Sequence, residues 1–518
     1  MKRFLKLSGS LGSKTVIALL IVALTLTSGI VSSRQAQAQD DETAKPRVIM
    51  TSDGEADDIN SFIRFLLYSN EFDIEGLVYS SSQWHYAGDG LGTLFTSEIE
   101  STAERYGERT DLRWAGTEWI DFYLYMYADI YDNLIQHKPD YPSPEYLQSL
   151  VKVGNINFEG DMAAPSEGSD WIKDILLDDD PGPVYVMIWG GTNTFARALK
   201  SIEEEYAGTD EWDAIYQKVS EKAVIFTILD QDATYQNYIA PNWPDVKVYY
   251  DSAQFWSFAY AWPRAVPAEL QTYLNGDWFA EHVKLNHGDL LAHYFTWGDG
   301  LRLAGDTEYT RWNPQVAADS ERMRYDFVSE GDSPSFMHLL DVGLRNIDDP
   351  SFGGWGGRLI QSEENPNRWE DGEAVVDFNP YTGEADTSYP LVRWIDAIQN
   401  DFAARTDWAV MSYDEANHEP AVTIDGELDL TAAPGGTVSL SGLASDPDGD
   451  DVSLTWWQYQ EAGSYAGAVE LSATDGATTS FVVPEDAQAG DTIHIILAGT
   501  DSGEPPLTRY QRVIVTVG

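Results

Sequence analysis

Most of the chain alternates short apolar runs with segments whose apolar residues recur at helical spacing. The apolar runs predict buried strands, at 47–50, 73–79, 183–189 and 223–229. The segments at helical spacing predict helices, at 59–68, 119–136, 194–206, 336–344 and 394–402. Strands and helices that alternate in this way form parallel sheets with right-handed crossovers. We therefore expect an α/β domain over 46–412 with a doubly wound, mostly parallel sheet.

Two further segments of this domain have weaker patterns. Residues 111–116 are predicted to form a short strand. Residues 242–312 are rich in aromatic residues and have poor periodicity. For this segment we expect helices and long loops that cover one edge of the sheet.

After about residue 418 the pattern changes to short runs of alternating apolar and polar residues. These runs predict strands, at 422–424, 437–440, 452–457, 479–483, 492–497 and 511–517, separated by Gly, Pro and Asp turns. We therefore expect an all-β, Ig-like sandwich over 418–518. One of its turns carries Asp446, Asp448, Asp450 and Asp451, and either an acidic β-turn or a second Ca²⁺ site accounts for them.

The N-terminus has the pattern of an export signal. Basic residues precede the apolar stretch 16–26, and Ala36 and Ala38 follow in a small-residue cleavage pattern. The apolar stretch is shorter than the roughly 20 residues of a membrane-spanning helix. We therefore predict a signal peptide over 1–38, a secreted or periplasmic protein, and no membrane association after cleavage.

The composition excludes several classes of function. The chain has 85 acidic and 32 basic residues and a formal charge of −53, so its surface repels nucleic acid and anionic membranes. Cysteine is absent, which excludes disulfides, zinc–thiolate sites and cysteine nucleophiles. The 18 Trp and 28 Tyr residues supply flat faces on which sugar rings stack, although large α/β enzymes also bury many aromatic residues.

The first predicted strand ends in an acidic loop that contains Asp53, Glu55, Asp57 and Asp58. Ligands of α/β proteins bind at the carboxyl ends of strands. Carboxylates this close together repel each other, and a hard cation with oxygen ligands would remove that repulsion. A solvated acidic turn, with an aspartate capping the following helix, is the other interpretation of the residues alone.

Residues 49–60 resemble the Asp-x-Asp-x-Gly-x-Asp-Asp loop that opens the inosine-uridine nucleoside hydrolase superfamily. Thr51 replaces the first Asp and Glu55 replaces the Gly. Residues 190–193 are similar to the Gly-x-x-Thr-Asn turn of that family, and Asn237 and Asp332 stand in for its ribose-binding Asn and late metal-binding Asp. The likeness is closer to a secreted branch of cellulose-binding proteins, which have a nucleoside-hydrolase-like domain followed by an Ig-like domain.

This resemblance implies a set of functional residues. It implies a Ca²⁺ ion held by Asp53, Asp58, the carbonyl of Thr192 and Asp332, with Asp53 also the catalytic general base. It further implies substrate-binding residues, for which the candidates are Asp57, Gln83, Trp84, His85, Asn193, Asn237 and Glu330.

Two departures from the family bear on the substrate. Gly331 stands where the family often has the His that protonates a leaving purine, and Gln83 replaces its early Asn. We therefore expect a saccharide rather than a free nucleoside. Two functions remain open, a calcium-dependent glycoside hydrolase and a non-catalytic protein that binds cellulose or another polysaccharide. The sequence does not indicate an oligomeric state.

Overall fold

An eight-stranded sheet forms the centre of the first domain in this computed structural model, which describes residues 45–306, 314–320 and 322–518. Its strands are β1 (Arg47–Ser52), β2 (Asp73–Tyr79), β3 (Val151–Val153), β4 (Val184–Ile188), β5 (Ala223–Ile228), β6 (Lys247–Asp251), β7 (Ile360–Gln361) and β8 (Arg368–Glu370). Their order across the sheet is β3-β2-β1-β4-β5-β6-β8-β7. Every neighbouring pair is parallel except β7 and β8. The predicted doubly wound, mostly parallel sheet is confirmed.

The α-helices lie between these strands and beyond them. They are α1 (Ala56–Leu67), α2 (Glu100–Tyr106), α3 (Trp119–His137), α4 (Pro144–Ser149), α5 (Glu167–Leu177), α6 (Asn193–Tyr206), α7 (Trp212–Lys222), α8 (Ala240–Asn242), α9 (Trp262–Ala265), α10 (Gly276–Phe279), α11 (Gly288–Ala292), α12 (Pro314–Asp319), α13 (Ser333–Met337), α14 (Tyr389–Val392) and α15 (Ile395–Trp408). The domain also contains short π-helices at Tyr235–Ile239 and Ala280–Lys284.

Strand residues alternate between two hydrophobic cores, one on each face of the sheet. On β1, Val48 and Met50 belong to the core that includes α1, α3 and α15, whereas Ile49 belongs to the core that includes α5 and α6. All three side chains are fully buried. Burial on both faces explains why these strands are continuous apolar runs in the sequence.

Three predicted elements of this domain were wrong in extent or kind. Residues 111–116 form no strand of the sheet, and Leu112 makes only an isolated bridge to Tyr86. The helix predicted at 336–344 is the short α13, which gives way to turns before Gly343, a residue with φ of 89°. The segment 242–312 contains the unpredicted strand β6, which pairs with β5 on one side and with the distant β8 on the other.

The C-terminal strands form the sandwich, and the all-β prediction is confirmed. After a hairpin of β9 (Asp377–Asn379) and β10 (Glu384–Asp386) come β11 (Ala421–Ile424), β12 (Asp429–Ala432), β13 (Thr437–Ser445), β14 (Ser453–Gln458), β15 (Thr478–Val482), β16 (Thr492–Thr500) and β17 (Thr508–Val517). One sheet has the order β11-β13-β15 and the other β12-β17-β16-β14. The boundaries 46–412 and 418–518 stay predictions.

The sandwich packs directly on the α/β domain. The backbone N–H of Tyr510 donates to Val342 (2.9 Å), and the Arg509 guanidinium donates to Asp401 (2.7 Å). Tyr510 also belongs to the hydrophobic core of the α/β domain. The predicted signal peptide, 1–38, lies outside the described residues. Among the helices of the described residues, none is both long and apolar enough for a membrane crossing.

Candidate functional site

The carboxyl ends of four adjacent strands meet at one edge of the central sheet. β1 ends before Asp53, β2 before the turn 80–85, β4 before Trp189 and β5 before Leu229. Backbone bonds continue between these ends, for example from Ser80 N–H to Ser52 O (2.7 Å). Because parallel strands deliver their ends to the same edge, the acidic loop and the turn 190–193 become neighbours.

Three carboxylates converge at this edge, and their side chains come from two distant segments. Asp57 and Asp58 lie in the first turn of α1, and Asp332 precedes α13. One oxygen of each lies within 4.8 Å of the others, and this is the one group of its kind among the described residues. Neither α1 nor α13 has a side-chain cap. The carboxylates are therefore not used as helix caps, which was the alternative interpretation of the acidic loop.

The hydrogen bonds around the three carboxylates leave room for a cation. Ser52 Oγ donates to Asp58 Oδ1 (2.6 Å), and Ser329 Oγ donates to Asp57 Oδ2 (3.2 Å). Asp332 Oδ2 is buried, and no donor in the described part of the chain pairs with it. A buried carboxylate oxygen without a donor calls for a ligand. An all-oxygen set of this kind fits a hard cation such as Ca²⁺.

The pKa shifts of these carboxylates also favour a bound cation. Burial, followed by the charges of Glu55 and Asp53, raises the pKa of Asp57 to about 7. Burial and neighbouring carboxylates also raise the pKa of Asp58 and of Asp332 well above the ordinary value. The protein alone therefore disfavours simultaneous ionisation of these groups, and a divalent cation would remove that penalty.

Asp53 lies beside the three carboxylates but faces a different partner. Its backbone N–H donates to Asp58 Oδ1 (3.2 Å), whereas its Oδ2 is 3.4 Å from Nδ1 of the fully buried His85. Burial, the largest influence, raises the pKa of Asp53. The charge of His85 nevertheless holds that pKa below its ordinary value. Asp53 is thus kept ionised at the edge of the cluster, and its assignment as metal ligand and base stays a prediction.

The turn 190–193 packs tightly against Asp53. A Cβ atom on Gly190 would lie 2.9 Å from Asp53 Cβ, so only glycine allows this approach. Thr192 is fully buried, and its carbonyl accepts the N–H of Ala196 (2.9 Å) at the start of α6. A carbonyl oxygen has a second lone pair, and the role of Thr192 as a ligand stays a prediction.

A cleft of about 250 Å³ opens above the acidic cluster. Its walls combine carboxylates, two arginines and aromatic side chains; they include Glu55, Asp57, Asp58, Asp332, Arg105, Arg113, Trp84, Trp189, Phe255, Trp256 and Tyr260. Trp256 is 39% exposed, whereas Trp189 is 1% exposed and donates its indole N–H to Ser335 (2.9 Å). The Trp256 side chain is thus partly exposed in the cleft, and Trp189 is held in the core.

The predicted substrate-binding residues are divided between the cleft and the interior. Asp57 and Trp84 line the cleft. Gln83 is 6% exposed and accepts a hydrogen bond from Thr102, and Asn193 is fully buried, with its amide donating to Ser81 (3.0 Å).

His85 lies behind Asp53. Asn237 is exposed on the π-helix Tyr235–Ile239, where it does not line the cleft.

Glu330 is not brought to the cleft, which corrects its assignment as a substrate ligand. Its side chain is fully buried and forms an ion pair with Arg64, whose Nη2 donates to Oε1 (2.9 Å). Tyr294 and Ser333 donate to the same carboxylate. Because both oxygens are occupied in the interior, Glu330 is a structural residue rather than a proton donor to a ligand.

Several cleft residues were not predicted individually. The hydroxyl of Tyr260 donates to Glu55 (3.0 Å) and to Asp57 (3.2 Å), and Arg113 pairs with Glu55 (3.5 Å). Tyr260 and Trp256 belong to the segment 242–312, where a high aromatic content is the only local signal. Leu229 has a φ of 63°, a left-handed conformation that often accompanies function and that no sequence pattern indicated.

The site now has a family context. A family model described as "Cellulose-binding Sde182, nucleoside hydrolase-like domain" matches residues 47–359, which is more than half of the chain. The chain belongs to this family. A second model, described as "Cellulose-binding protein Sde0182, C-terminal domain", matches residues 437–517. The Sde182 assignment confirms the resemblance to nucleoside hydrolases and to their cellulose-binding branch.

One solved structure has a similar fold. A nucleoside hydrolase-related hypothetical protein from Saccharophagus degradans, associated with carbohydrate metabolism, is 27% identical with a TM-score of 0.67. That alignment covers 92% of this Sde182-family chain and all of the other. Murine CRIg is 10% identical over 20% of the chain with a TM-score of 0.15, which is too low to support an argument. No curated protein sequence matches the chain.

Proposed function

We propose that this protein is an exported, calcium-dependent glycoside hydrolase that acts on a saccharide. The observation that carries the proposal is the cluster of Asp57, Asp58 and Asp332 at the floor of an aromatic cleft, in which Asp58 and Asp332 are buried and Asp332 has an unpartnered oxygen. The family description names cellulose binding, and the Saccharophagus degradans relative is associated with carbohydrate metabolism. Both support a carbohydrate as the ligand.

In this proposal Asp57, Asp58 and Asp332 hold the cation, together with Asp53 and the carbonyl of Thr192. When bound, a calcium ion supplies a fixed positive charge and lowers the pKa of water in its contact. Asp53 accepts the proton of the attacking water. His85 keeps Asp53 ionised, because its Nδ1 lies 3.4 Å from the carboxylate.

Substrate recognition follows from the walls of the cleft. A sugar ring would stack on Trp84 and Trp256, while Asp57, which Tyr260 and Ser329 hold in place, would accept bonds from sugar hydroxyls. The negative wall would also stabilise the positive charge that develops at the anomeric carbon. The cleft volume of about 250 Å³ is below the roughly 300–1,000 Å³ of sites for drug-sized ligands. We therefore infer that one sugar unit enters the cleft.

The proposal is tested by measuring reducing-sugar release from a panel of polysaccharides and oligosaccharides, with and without EGTA. We expect release by the wild type, loss with EGTA, and loss in Asp53→Asn. The control is Asp129→Asn, which changes an exposed carboxylate on α3. The absence of release from every glycan by the wild type, with calcium present, would contradict the hydrolase function.

A second function is a carbohydrate-binding protein without catalysis. It is favoured by the position of Glu330, because the buried pair with Arg64 keeps this carboxylate from protonating a leaving group in the cleft. In that case cellulose pull-down persists in Asp53→Asn and no glycan is cleaved. Loss of the pull-down in Trp256→Ala would place binding in the cleft, whereas its loss on deletion of 418–518 would place it in the sandwich.

A further inference from the structure

Two carboxylates of the sandwich each have one oxygen that is buried without a donor. Asp446 follows β13, and Asp501 follows β16. Across residues 45–306, 314–320 and 322–518, no hydrogen-bond donor pairs with Asp446 Oδ2 or Asp501 Oδ2. Asp501 is only 5% exposed. Burial of a carboxylate oxygen without a partner is unfavourable, and such an atom requires an explanation.

The second oxygen of Asp446 fixes its orientation. Oδ1 accepts the backbone N–H groups of Asp448 (2.9 Å) and Asp450 (3.1 Å), so the acidic turn folds around it. Ser502 ties this turn to the segment that contains Asp501, because its Oγ donates to Asp450 Oδ1 (3.2 Å). The turn thus holds Asp446 rigidly and leaves its Oδ2 without a hydrogen-bond partner.

Asp501 is held in the same manner. Its Oδ1 accepts the backbone N–H groups of Gly503 (3.1 Å) and Leu507 (3.0 Å) and the side-chain amide of Asn417 (3.2 Å). Asp501 lies next to the acidic turn, because the hydroxyl of the neighbouring Ser502 also accepts the backbone N–H of Asp451 (3.2 Å). Two rigid carboxylates, each with one unused oxygen, are a preorganised pair of ligands.

We propose that Asp446 and Asp501 bind a second calcium ion, independent of the site at the central sheet. A cleft of about 390 Å³ is lined by chain neighbours of both residues, among them Asp448, Asp450, Gly503 and Glu504. Its acidic walls attract cations towards this region. Backbone carbonyls and water complete the coordination that Ca²⁺ takes from oxygen ligands.

The position of this second site gives it a structural role. Asn417, which bonds to Asp501, lies in the segment between the two domains, and its carbonyl accepts the indole N–H of Trp408 on α15 (2.9 Å). A cation on Asp501 therefore stabilises the attachment of the sandwich to the α/β domain. Calcium is expected to raise the unfolding temperature through this site.

The test is isothermal titration of the full chain with Ca²⁺ after treatment with EGTA. Asp446→Asn is expected to remove one equivalent of bound calcium, and Asp332→Asn removes a different equivalent if the cluster at the central sheet also binds. Asp425→Asn, an exposed carboxylate after β11, is the control and keeps the wild-type stoichiometry. Loss of one equivalent of bound calcium in Asp446→Asn supports this proposal, whether or not Asp332→Asn changes the calcium stoichiometry.

Folding of the variant is checked separately. Asp446→Asn keeps an oxygen for the two backbone N–H groups and removes one negative charge from the acidic turn. We therefore expect Asp446→Asn to melt no lower than the wild type in EGTA and to lack the wild-type rise in calcium. Wild-type calcium stoichiometry in both Asp446→Asn and Asp501→Asn would overturn the proposal and indicate a pair that shares a proton.

Discussion

Arg64 and Glu330 form an ion pair from which solvent is completely excluded. The two side chains are 0% exposed, and the guanidinium donates to both carboxylate oxygens. Arg64 Cζ also lies 3.7 Å from the centre of the Phe402 ring. The pair joins α1 to the segment before α13, and therefore joins the two segments that supply the acidic cluster.

Glu330→Gln is expected to lower stability by about 3 kcal/mol or more, because it leaves the Arg64 charge buried without a partner. The measurement is the free energy of unfolding in urea. The matched control is the double variant Arg64→Met with Glu330→Leu, which removes both charges and is expected to be more stable than the single variant. Equal stability of Glu330→Gln and wild type would contradict the structural role of this pair.

Calcium is expected to stabilise the wild type more than Asp332→Asn. At a concentration about 100 times Kd, one site contributes roughly 2.7 kcal/mol to the free energy of unfolding. Asp332→Asn loses this contribution, because its unpartnered Oδ2 is replaced by an amide group that repels the cation. The check is thermal unfolding with calcium and with EGTA, using Asp129→Asn as control. A calcium effect of wild-type size in Asp332→Asn would refute the proposed site.

Trp256 and Trp189 line the same cleft, but we expect replacement of Trp256 by Ala to affect saccharide binding and replacement of Trp189 by Ala to affect stability. Trp256→Ala should weaken saccharide binding about tenfold, or ~1.4 kcal/mol, with little change in stability, because the ring is 39% exposed. Trp189→Ala should cost about 3–5 kcal/mol of stability, because the ring is buried. Affinity electrophoresis on soluble glycans and urea unfolding measure the two effects. Unchanged binding in Trp256→Ala would remove this residue from the site.

Acid is expected to destabilise the domain interface through Glu419. Burial raises the pKa of Glu419, but the charges of Arg509 and Lys138 outweigh it and lower that pKa from 4.5 to about 2. A group with a lower pKa in the folded state stabilises the protein above its unfolded pKa, and loses this effect as pH falls. The contribution, at most about 3 kcal/mol, is therefore complete above pH ~4.5 and lost towards pH ~2.

The measurement is the unfolding temperature between pH 6 and pH 2 for the wild type, Glu419→Gln and the control Glu427→Gln, which alters an exposed residue. We expect Glu419→Gln to reduce the loss of stability between about pH 4.5 and 2. Identical profiles for Glu419→Gln and the wild type would show that this carboxylate is not preferentially ionised in the folded protein.

The elements that the sequence predicted well are those whose patterns are local. The runs at 47–50 and 183–189 are apolar because both faces of the sheet are covered, and they became β1 and β4. β6 was missed, because its residues lie in an aromatic segment and its strand character comes from pairing with β5. The helix expected at 336–344 was too long because turns replace the helix after Met337.

The sequence by itself determined the alternation of strands and helices in the first domain, the β-sandwich at the C-terminus and the acidic loop with its four carboxylates. Tertiary structure decided which carboxylates meet. Asp332 reaches Asp57 and Asp58 although more than 270 residues separate them in the sequence. It also decided that Glu330 is paired with Arg64 and that Asp446 and Asp501 each keep an unused oxygen. Burial and long-range pairing control these outcomes, and no local spacing encodes them.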